Sequence, residues 1–194
     1  MPLPDATKLG KMVVISGPSG AGKSTIVRRL LQVCPLPLIV SVSATTRKPR
    51  SGEVEGIDYH FLSPEEFARR REAGEFLECM DYAGNWYGTL QSQVTSGLAA
   101  GKWVLLEIDV AGTIAVIEKH PEALTIFLHS GSIEELERRL VERKTETRET
   151  IERRLAVARR ELEQAHRYRY QVINRDVEQA VRDICDILVH HAEN

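Results

Sequence analysis

The sequence predicts an α/β fold in which a mainly parallel sheet is flanked by helices. Short apolar runs of strand length alternate along the chain with segments whose apolar residues recur at helical spacing. The first such pair is Met12-Val13-Val14-Ile15 followed by Ile26, Val27, Leu30 and Leu31, and a glycine-rich loop from Gly17 to Thr25 joins them. A loop in that position sits at the carboxyl edge of the first strand, where open α/β sheets bind their ligands. Between Ser43 and about Gly97 the pattern changes to hairpin-like strands and extra turns, which reads as an insertion on the α/β core.

The bulk properties narrow the class. A chain of 194 residues with 42% hydrophobic content suits one globular domain. A chain of that size buries roughly 70% of its unfolded surface, so its core needs no disulfide or metal staple. A formal charge of −2 argues against non-specific binding to nucleic acid or membrane as the main role. Cys34, Cys79 and Cys185 are odd in number, widely separated and form no C-x-x-C pair. That usage fits a reduced, cytoplasmic setting. No apolar run approaches the length of a membrane span, and the first residues lack a charged-then-apolar signal pattern. The expectation is a soluble, intracellular protein whose residues 1–11 form a loose tail.

Taken in order, the loop Gly17-Pro18-Ser19-Gly20-Ala21-Gly22-Lys23-Ser24-Thr25 has the pattern G-x-x-x-x-G-K-[ST] between a strand and a helix. This is the phosphate-binding P-loop. Glycines let the backbone turn with its N–H groups aimed inward, and the helix N-terminus favours an anion. Lys23 is then expected to reach the β/γ-phosphates of a nucleoside triphosphate, and the Ser24 hydroxyl to ligate Mg²⁺. Cys34-Pro35-Leu36-Pro37 ends the first helix, because proline cannot continue one and restricts the residue before it. Leu38–Val42 reads as a second strand. The polar stretch Ser43 to Glu53 holds Arg47 and Arg50 around Pro49. A planar guanidinium donates two hydrogen bonds at once to phosphate. Alone, such a pair is more often a solvated loop; about twenty residues after a P-loop, a second anion site is the better reading.

Residues 58–62 alternate as a short strand, and Ser63-Pro64-Glu65-Glu66 has the signature of a helix start with a capping box. Arg69-Arg70-Arg71 reads as a solvated face. Phe76–Met80 reads as a strand with Glu78 between apolar residues, Gly84–Thr89 as a turn with two aromatics, and Leu90–Ala99 as a helix stopped by Gly101. Val104–Val110 is an apolar strand ending in acids, where P-loop proteins place the carboxylate that holds Mg²⁺ or its waters. Glu107 and Asp109 alternate and so share a face. A helix over 112–120, a strand over 123–128 and a capping box at Ser132-Ile133-Glu134-Glu135 follow. Two arginine-dense helical segments then flank a polar break at 144–147. The interleaved glutamates allow a salt-bridged exposed helix pair, and the alternative is a lid whose arginines close over a transferring phosphoryl group. A strand over 171–174 and a helix over 177–189 complete the chain, with no repeat or linker.

The order P-loop, S-x-S-x-T-T-R-x-P-R, D-Y-x-F, F-L-E, Gly-Asn-x-Tyr-Gly, acidic strand and arginine-rich segment resembles guanylate kinase from Lys11 to Leu188. The run Ser41 to Arg50, with Gly52-Glu53 after it, is far more specific than the P-loop. The resemblance implies a P-loop kinase core with a parallel sheet flanked by helices, a small inserted GMP-binding subdomain and a helical lid. The parts fall at about 11–42, 98–138 and 165–194 for the core, 43–97 for the insertion and 139–164 for the lid. It also implies the reaction ATP + GMP → ADP + GDP with Mg²⁺, and dGMP as a further acceptor. Arg47, Arg50, Tyr59 and Tyr87 look like the clamp on the GMP phosphate. Glu78 matches the carboxylate that reads guanine, Ser43 and Thr89 match hydroxyls near it, and Asp109 matches an acid of the acceptor site. Arg139, Arg143 and Arg154 match the arginines that contact phosphates, and Asn174 lies where the family approaches the adenine of ATP. Lys23 and these arginines are assigned to charge stabilisation, Ser24 to the metal, with Glu107 acting on it through water.

Guanine presents adjacent N1–H and N2–H₂ donors, and one carboxylate accepts from both; adenine offers an acceptor at N1 instead. The sequence departs from the family pattern at Ala111, Glu107 and Lys144, where Gln, Asp and Gly are commoner. None of these is a phosphate-binding or guanine-binding position. Two other functions compete: a related P-loop kinase for another small phosphorylated acceptor, and a non-catalytic guanylate-kinase-like interaction module. The P-loop and the arginine set favour the enzyme. ATP and GMP are the expected partners, with no nucleic acid, membrane or obligatory protein partner.

Overall fold

The structure is a computed structural model and describes residues 10–82, 84–142 and 147–193. Nine strands and seven helices are assigned among them. Strands β1 (Met12–Ser16), β2 (Leu38–Val40), β7 (Trp103–Glu107), β8 (Leu124–His129) and β9 (Tyr170–Ile173) form one sheet in the order β2-β7-β1-β8-β9. β2 runs parallel to β7, and β8 runs parallel to β9. Every residue of β1 is buried, as a strand covered on both faces requires. Strands β3 (Ala44–Thr45), β4 (His60–Phe61), β5 (Phe76–Tyr82) and β6 (Asn85–Leu90) form a second sheet in the order β4-β3-β6-β5. The α/β class holds.

The chain gathers into two compact units. Among the described residues, one comprises 10–13, 37–106 and 111–123, and contains the four-stranded sheet. Its helix α2 (Pro64–Glu72) starts as its sequence predicts: Ser63 Oγ accepts from the Glu66 N–H at 3.1 Å, and Pro64 follows at the first turn. The Glu66 carboxylate does not reach back to close the box; it pairs with Arg69 and Arg70. Arg71 instead lies over the Trp86 ring at 4.5 Å, so the arginine triplet is only partly a solvated face. Phe67 is buried and stacks on Phe76 with ring centroids 4.4 Å apart. The turn expected over 84–89 is a strand. β6 pairs antiparallel with β5 from Asn85 to Leu90, and the adjacent aromatics Trp86 and Tyr87 fall on opposite faces. Helices α3 (Gln91–Ala99) and α4 (Val110–Lys119) complete the helical set of that stretch of chain.

The other unit comprises residues 14–36, 107–110 and 124–194. Helix α1 (Lys23–Val33) buries Ile26, Val27 and Leu30 and stops at Cys34, which turns extended before Pro35. Helices α5 (Ile133–Glu142) and α6 (Arg148–Glu163) pack through Leu136 and Leu140 against Ile151, Leu155 and Ala158. The long α7 (Val177–Glu193) lays Ala180, Val181, Ile184 and Leu188 inward and packs on α1.

Candidate active site

The P-loop backbone has the shape its glycines predict. Gly17, Gly20 and Gly22 have φ of 141°, 95° and 92°, a region that L side chains rarely adopt. A Cβ at Gly17 would fall on the carbonyl oxygen of Leu128, and one at Gly22 would lie 2.5 Å from Asn174 Nδ2. These two glycines permit close approach as well as the turn. The loop closes on itself through the Ala21 N–H, which donates to the Pro18 carbonyl at 3.1 Å.

Lys23 folds over this loop and donates to the carbonyls of Gly17 and Pro18 at 2.7 and 3.2 Å. Burial lowers its pKa, while the carboxylates of Glu107, Glu161 and Asp109 favour the charged form. Ser24 Oγ donates to Glu107 Oε1 at 2.5 Å. This hydroxyl–carboxylate pair fits Mg²⁺, a hard cation usually held by few protein oxygens alongside substrate phosphates and waters. Asn174, buried just past β9, donates from Nδ2 to the Ala21 carbonyl at 2.7 Å. Its own carbonyl accepts from Arg139 Nη2 at 2.5 Å, and Glu135 steadies that guanidinium through Nε at 2.8 Å. Arg154 Nη2 donates to Ser19 Oγ at 2.5 Å. A cleft of about 370 Å³ opens here, lined by Gly20, Gly22, Thr25, Arg139 and Asn174 among others. So the residues predicted to handle the triphosphate come together. Arg143 and Lys144 lie outside the described residues.

A further carboxylate, which the sequence reading passed over, faces the same group. Glu161 on α6 is half-buried, and its Oε2 is sealed from solvent with no hydrogen-bond partner among the described residues. Burial pushes its pKa up to about 7, with Asp109 adding to the rise and Lys23 opposing it. Its one sequence signal was its place on the apolar stripe of α6, three residues after Ala158. Asp109, expected with the acceptor residues, lies in this unit and interacts electrostatically with Lys23.

The second cluster lies on the four-stranded sheet. Arg47 forms a two-pronged pair with Glu53 at 2.8 and 3.0 Å, and this pairing raises its pKa further. Its guanidinium carbon stands 5.3 Å from the Tyr59 ring centre, and Tyr59 meets Tyr87 edge-on at 6.0 Å. Arg50 is exposed and donates its backbone N–H to Glu53 at 2.7 Å. Glu53 therefore organises both arginines, a role the sequence reading left unassigned. Glu78 is 7% exposed and accepts from Thr89 Oγ1 at 2.7 Å. Register explains the grouping: Glu78 pairs opposite Thr89, and Tyr87 lies two residues from Thr89 on the same face of β6. Diagonal neighbours of that kind are roughly 7–8 Å apart. Tyr87 thus joins the arginine–tyrosine cluster to the buried carboxylate through one sheet face. Ser43 is half-buried, and its carbonyl accepts from the His60 N–H at 2.9 Å.

A P-loop with its lysine, hydroxyl and acid in place, together with an arginine–tyrosine anion cluster, defines a P-loop phosphotransferase architecture. A guanylate kinase family model matches residues 9–191. The chain is 60% identical over 141 residues to guanylate kinase of Rhodopirellula baltica, covering 71% of this chain and 68% of that one. It is 50% identical to that of Fusobacterium nucleatum, over 73% of this chain and 75% of the relative. The crystal structure of guanylate kinase from Anaplasma phagocytophilum superposes with a TM-score of 0.79 at 32% identity, covering 95% of this chain and 87% of that one. A gluconokinase from Sinorhizobium meliloti, at 19% identity and a TM-score of 0.51, shares the fold alone. The chain belongs to the guanylate kinase family.

Proposed function

We propose that this protein transfers the γ-phosphoryl group of ATP to GMP, giving ADP and GDP in purine nucleotide metabolism. The observation that carries this reading is Glu78: a buried carboxylate, held by Thr89, on the same sheet as Tyr87, which meets the Tyr59–Arg47 cluster. Guanine satisfies both lone-pair directions of that carboxylate, whereas adenine would leave them facing an acceptor. A site built to hydrogen-bond its substrate rejects a mismatched analogue by about 10⁴-fold. Arg47, Arg50, Tyr59 and Tyr87 take the acceptor phosphate, which replaces Glu53 as the partner of the arginine fork. Ser43 and Asp109 complete the acceptor set. These groups address guanine and phosphate, neither of which changes in dGMP, so dGMP is a second acceptor.

On the donor side, the loop from Gly17 to Thr25 wraps the ATP phosphates, and Asn174 borders the adenine. Ser24 would hold Mg²⁺, with Glu107 acting on it through water, and the ion would supply charge neutralisation to the phosphates. Lys23 leaves the Gly17 and Pro18 carbonyls for the phosphates, and Arg139, Arg143 and Arg154 spread the charge that develops in transfer. The acceptor is already a phosphate oxygen, so no side chain has to act as general base. Residues 43–97 form the acceptor-binding insertion and 139–164 the lid, whose closure excludes water that would otherwise hydrolyse ATP. Three free cysteines suit a reducing, cytoplasmic location. Among the described residues no helix is long and apolar enough to cross a membrane.

A coupled ADP-release assay with GMP, dGMP, AMP, CMP and UMP tests the reading. Turnover is expected with GMP and dGMP and lower by orders of magnitude with the rest. Equal turnover across the five would remove the guanine assignment, and none with any would leave a non-catalytic module.

A further inference from the structure

Two of the three cysteines, 151 residues apart in sequence, meet in space. Cys34 is the residue at which α1 ends, and Cys185 lies on α7 beside buried Ile184. Their sulfurs are 2.9 Å apart, with the Cys185 thiol donating to Cys34. Both are free thiols, and each keeps part of its surface open to solvent. The two helices belong to one compact unit and pack on each other, so the approach is built into the helix pair. Closing to a disulfide, about 2.05 Å between sulfurs, asks for a sub-ångström move.

We propose that Cys34 and Cys185 are an oxidisable thiol pair, closing to an intramolecular disulfide that staples the P-loop helix to the C-terminal helix when the protein meets a small disulfide oxidant. Cys34 acts first, as the sulfur that accepts the hydrogen bond. Its thiolate attacks one sulfur of oxidised glutathione, forming a mixed disulfide and releasing one glutathione, which takes the Cys34 proton. Cys185 then gives up its proton and attacks the Cys34 sulfur, releasing the second glutathione. Two protein thiols are oxidised and one small disulfide is reduced. Burial, then the hydrogen bond to Cys34, pushes the Cys185 thiol well above the usual thiol range, so it is the poorer first attacker, and its closing step is carried by the 2.9 Å approach of the two sulfurs. In a reducing compartment the pair rests as two thiols.

The bond acts as a staple and leaves the catalytic loop alone. α1 has 11 residues, so Cys34 lies roughly 16 Å along the helix axis from Lys23. A crosslink spanning most of the chain restricts the unfolded ensemble strongly. The thermal midpoint should rise by on the order of 10 °C. Cys79, a free thiol on β5 in the other compact unit, is a built-in control.

The full-length protein is incubated with oxidised glutathione, alkylated without reductant, mapped by mass spectrometry and melted. The wild type is expected to lose the mass of two hydrogens, yield a peptide linking Cys34 to Cys185 with Cys79 alkylated, and melt higher than its reduced form. Cys34→Ser and Cys185→Ser should lose both effects, with Cys185→Ser keeping glutathione on Cys34. A wild type that ends as glutathione adducts without the linked peptide overturns the proposal, as does a linked protein with an unchanged midpoint. The wild-type map alone decides the pairing should a variant fail to fold, and neither readout depends on kinase activity.

Discussion

A carboxylate with one oxygen sealed from water and no hydrogen bond is costly to keep ionised, and Glu161 is such a group beside Lys23 and Asp109. Its pKa rises from 4.5 unfolded to about 7 folded, so between those values the folded chain binds more protons than the unfolded chain. Stability is therefore lost as pH rises through that window and levels off above it. A displacement of that size is worth up to about 3 kcal/mol at full ionisation. Glu161→Gln removes the charge while keeping the shape. Chemical denaturation of the ligand-free protein between pH 5 and pH 8 should show the variant gaining stability over the wild type as pH rises, by a difference approaching that figure. Parallel stability curves for the two proteins would rule the account out. Glu161 also marks where reading residues one at a time stops. Its neighbours Arg159 and Arg160 make the segment look like a solvated charged face. The carboxylate is set apart only by the turn of helix that carries Ile151, Leu155 and Ala158 inward. Glu78 was legible by contrast, because its resemblance to a guanine-reading carboxylate rested on neighbouring motifs rather than on burial.

Among the elements, those whose signals are local were read well and those set by distant pairing were not. The start of α2 was visible in Ser63-Pro64, and the end of α1 in Cys34-Pro35, since caps and prolines act within one turn. β6 was misread as a turn because Trp86 and Tyr87 sit side by side and show no alternation of apolar and polar residues. Its strand character comes from the β5 ladder, which contributes from outside the segment. The P-loop lies between these cases: its motif is local, but Gly22 is also required by Asn174, which follows it by about 150 residues. Gly22→Ala places a Cβ against Asn174 Nδ2 at a φ of 92°, opposing both the backbone and the Asn174–Ala21 hydrogen bond. The strained backbone should cost about 1–3 kcal/mol of folding stability. Displaced Asn174 should weaken ATP binding at least tenfold in calorimetry, while GMP binding holds. ATP affinity equal to wild type would show that the Gly22–Asn174 approach has no part in the nucleotide site.

At the scale of the molecule, the residues assigned to ATP at 17–25, 107, 139, 154 and 174 belong to one compact unit. The acceptor residues from Ser43 to Thr89 belong to the other. Neither unit is a continuous piece of chain, which is why boundaries read along the sequence, at about 43, 97, 139 and 164, need not coincide with the compact bodies. The separation makes the two affinities independently removable. Glu78→Gln offers guanine an amide where a carboxylate accepted from N1–H and N2–H₂, so kcat/KM for GMP should fall well over tenfold with ATP affinity unchanged. Lys23→Met removes the charge that follows the transferring phosphoryl, so kcat should fall by about 10³-fold or more. The GMP dissociation constant of that variant should stay within about twofold of wild type, since the Lys23 ammonium donates to the P-loop carbonyls of Gly17 and Pro18. Asp109 is the informative exception, because the resemblance puts it with the acceptor while its charge acts on Lys23. Asp109→Asn should therefore lower kcat more than it raises KM for GMP. An effect confined to KM would limit Asp109 to its acceptor role, and loss of GMP binding in Lys23→Met would mean that the two sites are not separable.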